Sequence, residues 1–152
     1  EQKTKGKGNI RETLIFLTSD NGPYQEEGWA KAGRANVYDS DTGALRGRLR
    51  GGKGQVFEGG LRMPGAVVWP GVVSAGSVSE TLVSTFDIFP TALAAAGVDM
   101  GAEYAVDGKD MTAVLNGSTD ASQHRVLLHY CGFNILAARV YGRFKVKLFY
   151  SF

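Results

Sequence analysis

The chain has 152 residues, 43% of them hydrophobic and 21% charged, a globular composition of about one domain rather than a disordered one. Its 17 basic and 15 acidic residues leave a net charge of +2, too slight to indicate nucleic acid or a membrane surface. One cysteine, Cys131, excludes an internal disulfide and any cysteine cluster for zinc. No apolar run approaches the roughly 18 residues that span a bilayer. The first residues lack the apolar stretch of a signal peptide, and the missing initiator methionine is compatible with an internal piece of a longer protein. Glycine is the outlier. There are 21, about twice the usual ~7%, and thirteen of them fall between Gly22 and Gly76.

In chain order, residues 1–12 are polar and read as a solvated arm. Thr13 to Thr18 is apolar and β-branched throughout, the pattern of a short strand buried on both faces. It stops at Ser19-Asp20-Asn21-Gly22-Pro23, all turn formers. A Gly-rich connection with no sustained periodicity runs to about Gly60, a length typical of functional or disordered loops. Ala66 to Trp69 reads as a second buried strand closed by Pro70-Gly71. Asp87 to Gly97 reads as a helix, with Asp87 as cap, Pro90 in the first turn and Gly97 at the end. A shorter helix runs from a cap at Asp110 through Met111, Val114 and Leu115 to Gly117. The tail is strand-like over 125–130, 135–140 and 143–149, with Tyr141-Gly142 as a hairpin turn. There Phe144, Val146 and Leu148 alternate with Lys145 and Lys147, which predicts an apolar inner face and a wet lysine face. No internal repeat is present. The pattern predicts a buried α/β part, residues 1–120, followed by the start of a small antiparallel subdomain, residues 121–152.

Two short segments carry chemistry. Asp20-Asn21 lies just past the carboxyl end of a strand, where open α/β sheets place ligand crevices. A carboxylate beside an amide carbonyl suits a hard cation such as calcium or magnesium; Asn-Gly is equally a common tight-turn dipeptide. The pair supplies one negative charge, so a divalent site needs further ligands. The second segment is Gly51 to Pro64, where Lys53 sits among glycines that let backbone N–H groups approach a tetrahedral anion. Gly47 to Lys53 fits the start of a phosphate loop, but Gly54 stands where serine or threonine would bind magnesium. Lys53 is also compatible with a plain surface loop. The basic run Arg46, Arg48, Arg50, Lys53 has no interleaved aromatics and reads as a solvated or partner-facing loop rather than a nucleic-acid site. His124 and His129 are the only histidines. Without G-x-S-x-G or His-Glu-x-x-His they support neither a serine hydrolase nor a zinc protease, and His129 reads as a packed strand residue. Asn116-Gly117-Ser118 fits the N-glycosylation pattern.

Taken together, these segments resemble the C-terminal part of a sulfatase catalytic domain of the arylsulfatase and steryl-sulfatase type. The resemblance is carried by Leu17-Thr18-Ser19-Asp20-Asn21-Gly22-Pro23, then Gly52-Lys53-Gly54 with Phe57-Glu58-Gly59-Gly60-Leu61-Arg62-Met63-Pro64. It continues in Trp69-Pro70-Gly71, Asp87-Ile88-Phe89-Pro90-Thr91, Asp107-Gly108-Lys109-Asp110, Leu128-His129-Tyr130-Cys131 and Phe144 to Tyr150. It implies an alkaline-phosphatase-like α/β fold, present in part, with a small C-terminal antiparallel sheet. It also implies hydrolysis of sulfate esters (small-molecule, glycan or steroid sulfates) with one bound calcium ion, in the secretory pathway. By that resemblance Asp20 and Asn21 are metal ligands, Lys53 contacts the sulfate, and Glu58 and Arg62 brace the glycine loop. Lysine and metal would neutralise charge on sulfuryl oxygens.

The family's Cys-x-Pro-x-Arg segment, source of its formylglycine nucleophile, is absent from these residues. So are its N-terminal aspartate pair and the further lysine and histidines of its site. The expectation is therefore a fragment of a sulfuric ester hydrolase that is inactive alone. The alternatives are a truncated or degenerate relative acting as a binding module, or a phosphate or phosphonate ester hydrolase of the same superfamily. Because strand 13–18 is apolar on both faces, a chain lacking its sheet neighbours is expected to expose apolar surface.

Overall fold

The structure is a computed structural model that describes residues 13–22, 49–50, 52–101, 104–131 and 133–148. The polar arm, the 23–48 connection with Arg46 and Arg48, and the end of the last predicted strand lie outside the described residues. The chain divides into two compact units, each discontinuous in sequence. One comprises Glu1–Phe16, Ala66–Val126 and Val140–Arg143, the other Leu17–Gly65, Leu127–Arg139 and Phe144–Phe152. Among the described residues no helix is long and apolar enough to cross a membrane.

Strands β1 (Ile15–Thr18) and β2 (Gly65–Val68) pair as a two-stranded sheet. Both were expected to be buried, and they are not: Leu17 is 70% exposed, and Ile15 and Val68 are also exposed. Among the described residues β2 is the one strand paired with β1, and two strands cannot cover each other's faces, so the apolar side chains of β1 stay accessible. After β2 the chain turns at Gly71, whose φ is +83°, with Trp69 O accepting from the N–H groups of Val72 and Val73.

In the first unit, a 3₁₀ turn at Thr85–Asp87 leads into α2 (Ile88–Ala95); α1 is the short helix Glu58–Leu61 of the second unit. Asp87 was expected to cap α2. Asp87 does stand at the N-cap position of α2, without a side-chain cap bond to that helix; the 3₁₀ turn moves the start of the helical segment upstream, and Ser84 caps it. Its hydroxyl accepts from Phe86 N–H, while the Asp87 carboxylate reaches back to Ser84 N–H in a capping box. Gly97, at φ +69°, ends α2 with bonds from Gly97 N–H to Ala94 O and from Val98 N–H to Leu93 O, the pairing of a Schellman motif. Helix α3 (Thr112–Leu115) is preceded by Asp110, whose Oδ1 accepts from Thr112 N–H and hydroxyl, and is followed by Gly117 at φ +77°.

The buried centre of this unit is polar. Asp87, Thr91 and His124 are 2%, 0% and 6% exposed, beside Met111 and Val114. The Asp87 carboxylate accepts from Ser84 N–H at 2.7 Å, Lys109 N–H at 2.8 Å and His124 Nε2 at 2.8 Å. Thr91 donates its hydroxyl to Asp87 O and accepts from Met111 N–H. Gly108 lies so close that a Cβ there would fall 1.9 Å from Phe86 O. The Asp107-Gly108-Lys109-Asp110 motif thus docks by its backbone onto the start of α2.

Strands β3 (Val126–Cys131), β4 (Asn134–Val140) and β5 (Phe144–Lys147) form a three-stranded sheet in that order. Tyr141 and Gly142, at φ 50° and 68°, turn β4 into β5, with Arg143 N–H bonded to Val140 O. Two positive φ values at the turn centre are the type I′ signature, as expected. The facing of β5 reverses the alternation argument. Phe144, Val146 and Leu148 are exposed, whereas Lys145 and Lys147 are half-buried. The reason lies in α1: Glu58 and the ring of Phe57 sit on the lysine side, where an ion pair and cation–π contacts hold the ammonium groups.

Candidate functional site

All three sequence-predicted site residues belong to the second unit, and two turns present them. The first follows β1. Thr18 donates its hydroxyl to Pro64 O at 2.9 Å, and Ser19 donates its own to Asn21 O at 2.9 Å. Asn21 donates from Nδ2 to Gly22 O at 3.1 Å. Gly22 N–H then bonds Gly60 O at 3.1 Å. Asp20 is exposed, Asn21 half-buried and Gly22 buried. The second turn runs from Gly52 to Gln55, closed by Gln55 N–H to Gly52 O at 3.0 Å. Lys53 and Gly54 are its centre, and φ +82° at Gly54 gives the type II form that requires glycine there. Lys53 is exposed at the tip.

Both turns rest on Gly59-Gly60. A Cβ on Gly22 would lie 1.9 Å from Gly59 O and 2.8 Å from Gly60 Cα; one on Gly60 would lie 2.1 Å from Gln55 O and 2.5 Å from Gly52 O. Gly59 N–H also bonds Arg50 O at 2.7 Å. Glycine is needed here because three backbone segments approach closer than any side chain allows. The residues separating Asn21 from Lys53 in sequence are therefore bypassed by direct backbone contact. Gly60→Ala is expected to destabilise the full-length protein by about 1–3 kcal/mol, since the obstructing atoms are backbone. Gly65→Ala, with nothing within 4 Å of its Cβ, should stay within about 0.5 kcal/mol of the parent, and urea titration of both variants beside the parent reads the difference.

The Asp20 carboxylate and Asn21 amide oxygen are hard donors of the kind calcium takes, but calcium wants six to eight oxygens. Among the described residues no group of three or more His, Cys, Asp or Glu could hold a metal. The pair fits part of a coordination shell.

Sequence reasoning missed a charged cluster behind the glycine knot. Glu58, at the start of α1, accepts from Arg139 of β4 and from Lys145 Nζ of β5 at 2.7 Å. Burial alone would raise the Glu58 carboxyl; the hydrogen bonds and positive charge of Lys145 and Arg139 outweigh it and hold the group below its ordinary 4.5. A carboxylate with a lowered folded-state value adds stability that is complete above the ordinary value and fades as pH falls through the folded value. The acid limb of the melting curve, below about pH 4.5, should therefore flatten in Glu58→Gln, as differential scanning calorimetry between pH 3 and 6 would read. His129 lies in the same cluster, its Nε2 buried without a hydrogen-bond partner. Burial, Lys145 and Arg139 lower its proton affinity below the ordinary 6.5, against a raising effect of Glu58, so the imidazole is neutral at pH 7. Beside this cluster the Phe57 ring carries Arg50 Cζ at 4.0 Å and Lys147 Nζ at 3.2 Å from its centroid. The partners of Glu58 stand 81 and 87 residues away; the only local sign was the lysine alternation of β5, and that pointed to solvent.

Two family models match the chain. The one described as Sulfatase covers residues 3–98, and the one described as N-sulphoglucosamine sulphohydrolase, C-terminal, covers residues 52–149. The chain is 38% identical over 144 residues to a steryl-sulfatase of Mus musculus, covering 94% of this chain and 22% of that protein. It is 38% identical over 128 residues to arylsulfatase D of Homo sapiens, covering 84% and 20%. In structure it is similar to PsFucS1 sulfatase from Pseudoalteromonas sp., with a TM-score of 0.63 and 34% identity over 86% of this chain and 24% of that one. The α/β architecture is thus the alkaline-phosphatase-like one. The chain spans about a fifth of the length of the curated relatives it matches.

Proposed function

The chain belongs to the sulfatase family, and from that premise we propose that it is part of a sulfuric ester hydrolase of the arylsulfatase type. In this reading Asp20 and Asn21 hold one calcium ion together with ligands outside the chain, and Lys53 binds the sulfate group. The formylglycine nucleophile comes from a Cys-x-Pro-x-Arg segment that these residues do not include. When bound, calcium supplies positive charge next to the sulfuryl oxygens. The chain's own contribution is positioning. The type II turn presents the Lys53 ammonium at a tip free of bulky neighbours in sequence, and the strand-end turn presents a carboxylate and an amide. The observation that supports this most is the joining of the two turns at Gly59-Gly60, since preorganised charge is effective only when its carriers are rigidly linked.

The substrate is a sulfate ester of a small molecule, a steroid or a glycan. We assign the protein to the secretory pathway, a reading supported by the exposed sequon at Asn116, whose Oδ1 accepts from Ser118 N–H. The 152 residues alone carry no nucleophile of this kind and are inactive in this reading. The test is hydrolysis of a chromogenic aryl sulfate by the full-length protein before and after chelation. Turnover that chelation abolishes supports the proposal. Absence of turnover in a protein that carries the upstream motif would overturn it.

A further inference from the structure

We propose that Lys145 and Arg139, carried by the antiparallel sheet, are positioning residues for Lys53: through Glu58 they hold the base of the loop whose tip presents that ammonium. The inference rests on the sulfatase reading and deepens it, giving the C-terminal sheet a part in binding the sulfate group.

Three observations carry it. The first is that the loop carrying Lys53 is closed at its base. Gly59 N–H bonds Arg50 O at 2.7 Å and Gln55 N–H bonds Gly52 O at 3.0 Å, while Gly52 N–H donates to Gln55 Oε1 at 3.3 Å. Whatever fixes Glu58 and Gly59 therefore fixes the direction of the tip. The second is that α1 cannot fix itself. It has four residues, and its N-cap, Phe57, makes no side-chain cap bond; a single helical turn restrains more backbone freedom than its few bonds offset. The third is what does hold it. Glu58 Oε1 accepts from Lys145 Nζ at 2.7 Å and from Arg139 Nη2, which come from the neighbouring strands β5 and β4. The two basic side chains are 14% and 17% exposed, so the pairs are shielded from the solvent that makes surface ion pairs weak. Paired strands are stiffer than a glycine loop, and Glu58 is the link between the two. Without that link the base opens more often, and a charge whose position wanders stabilises an oxyanion less than a fixed one.

The experiment is a double-mutant cycle in the full-length protein, read as kcat/KM for a chromogenic aryl sulfate. Lys145→Met should lower kcat/KM about tenfold, the scale of one charge-assisted hydrogen bond, and Lys145→Arg, which keeps a cation on Glu58, should recover most of it. In a Lys53→Met background the same Lys145→Met change should cost less than about twofold, because the group it positions is gone. An equal loss in both backgrounds, the mark of a merely structural role, overturns the inference. Should Lys145→Met fail to fold, Lys145→Gln takes its place in the cycle. Amide hydrogen exchange supplies a readout independent of turnover. In the Lys145 variant, exchange at Gly59 and Arg62, whose N–H groups bond Arg50 O and Glu58 O, should quicken about tenfold while Ala96 at the end of α2 keeps its rate. If the parent hydrolyses no sulfate ester, the sulfatase reading fails by itself, and exchange decides the contact: quickening confined to Gly59 and Arg62 upholds it, and unchanged rates there refute it.

Discussion

Lys53→Met in the full-length protein is expected to lower kcat/KM for an aryl sulfate by about 10²–10³, the cost of removing one preorganised charge from a site where negative charge is stabilised. The expectation follows from where the turn puts the residue. Lys53 occupies the centre of a type II turn whose other central residue is Gly54, and the turn is closed by its own backbone bond. Replacing the exposed side chain leaves that bond and the glycine contacts in place, so the melting temperature should move little while activity falls. Lys53→Arg keeps the charge but replaces a compact ammonium with a planar fork, and an intermediate activity is expected. Steady-state kinetics of the three proteins under one condition settle the matter; kcat/KM for Lys53→Met within twofold of the parent would remove Lys53 from the site.

Asp87→Ala is expected to cost about 3–5 kcal/mol in urea unfolding, the cost of leaving several buried donors without their acceptor. That is a large part of the roughly 5–15 kcal/mol that holds a typical domain. The carboxylate is 2% exposed and serves three donors at once: Ser84 N–H, Lys109 N–H and His124 Nε2. Its loss strands two backbone groups and a buried imidazole, each of which costs about 1–3 kcal/mol unsatisfied. Asp87→Asn retains the shape and one acceptor oxygen, so its loss should be smaller. A change below about 1 kcal/mol for Asp87→Ala would show that water replaces the carboxylate and that the network is not the centre of this unit.

Asp87 also shows how the fold was and was not legible. Its side chain could be recognised as a helix-start carboxylate, because capping is a matter of four neighbouring residues. That it would also hold His124 and the Lys109 backbone, 37 and 22 residues away, has no local signature. The β5 strand makes the same point with opposite sign. Alternation correctly predicted that Lys145 and Lys147 share one face. It could not say which face is covered, because that depends on Glu58 and Phe57 arriving from far along the chain.

Elements with local causes are legible in the amino-acid order: the apolar strand that stops at Ser19, the end of α2 at Gly97, the Tyr141-Gly142 turn, and the motif order that marks a sulfatase. Each depends on backbone preference or spacing within a few residues. The meeting of Gly22, Gly52 and Gly60, the binding of Glu58 by β4 and β5, and the covering of the lysine face of β5 become visible once the chain is folded. Most of those contacts join residues tens of positions apart. Their energies arise from burial and charge pairing, which have no periodicity to read until the chain has closed upon itself.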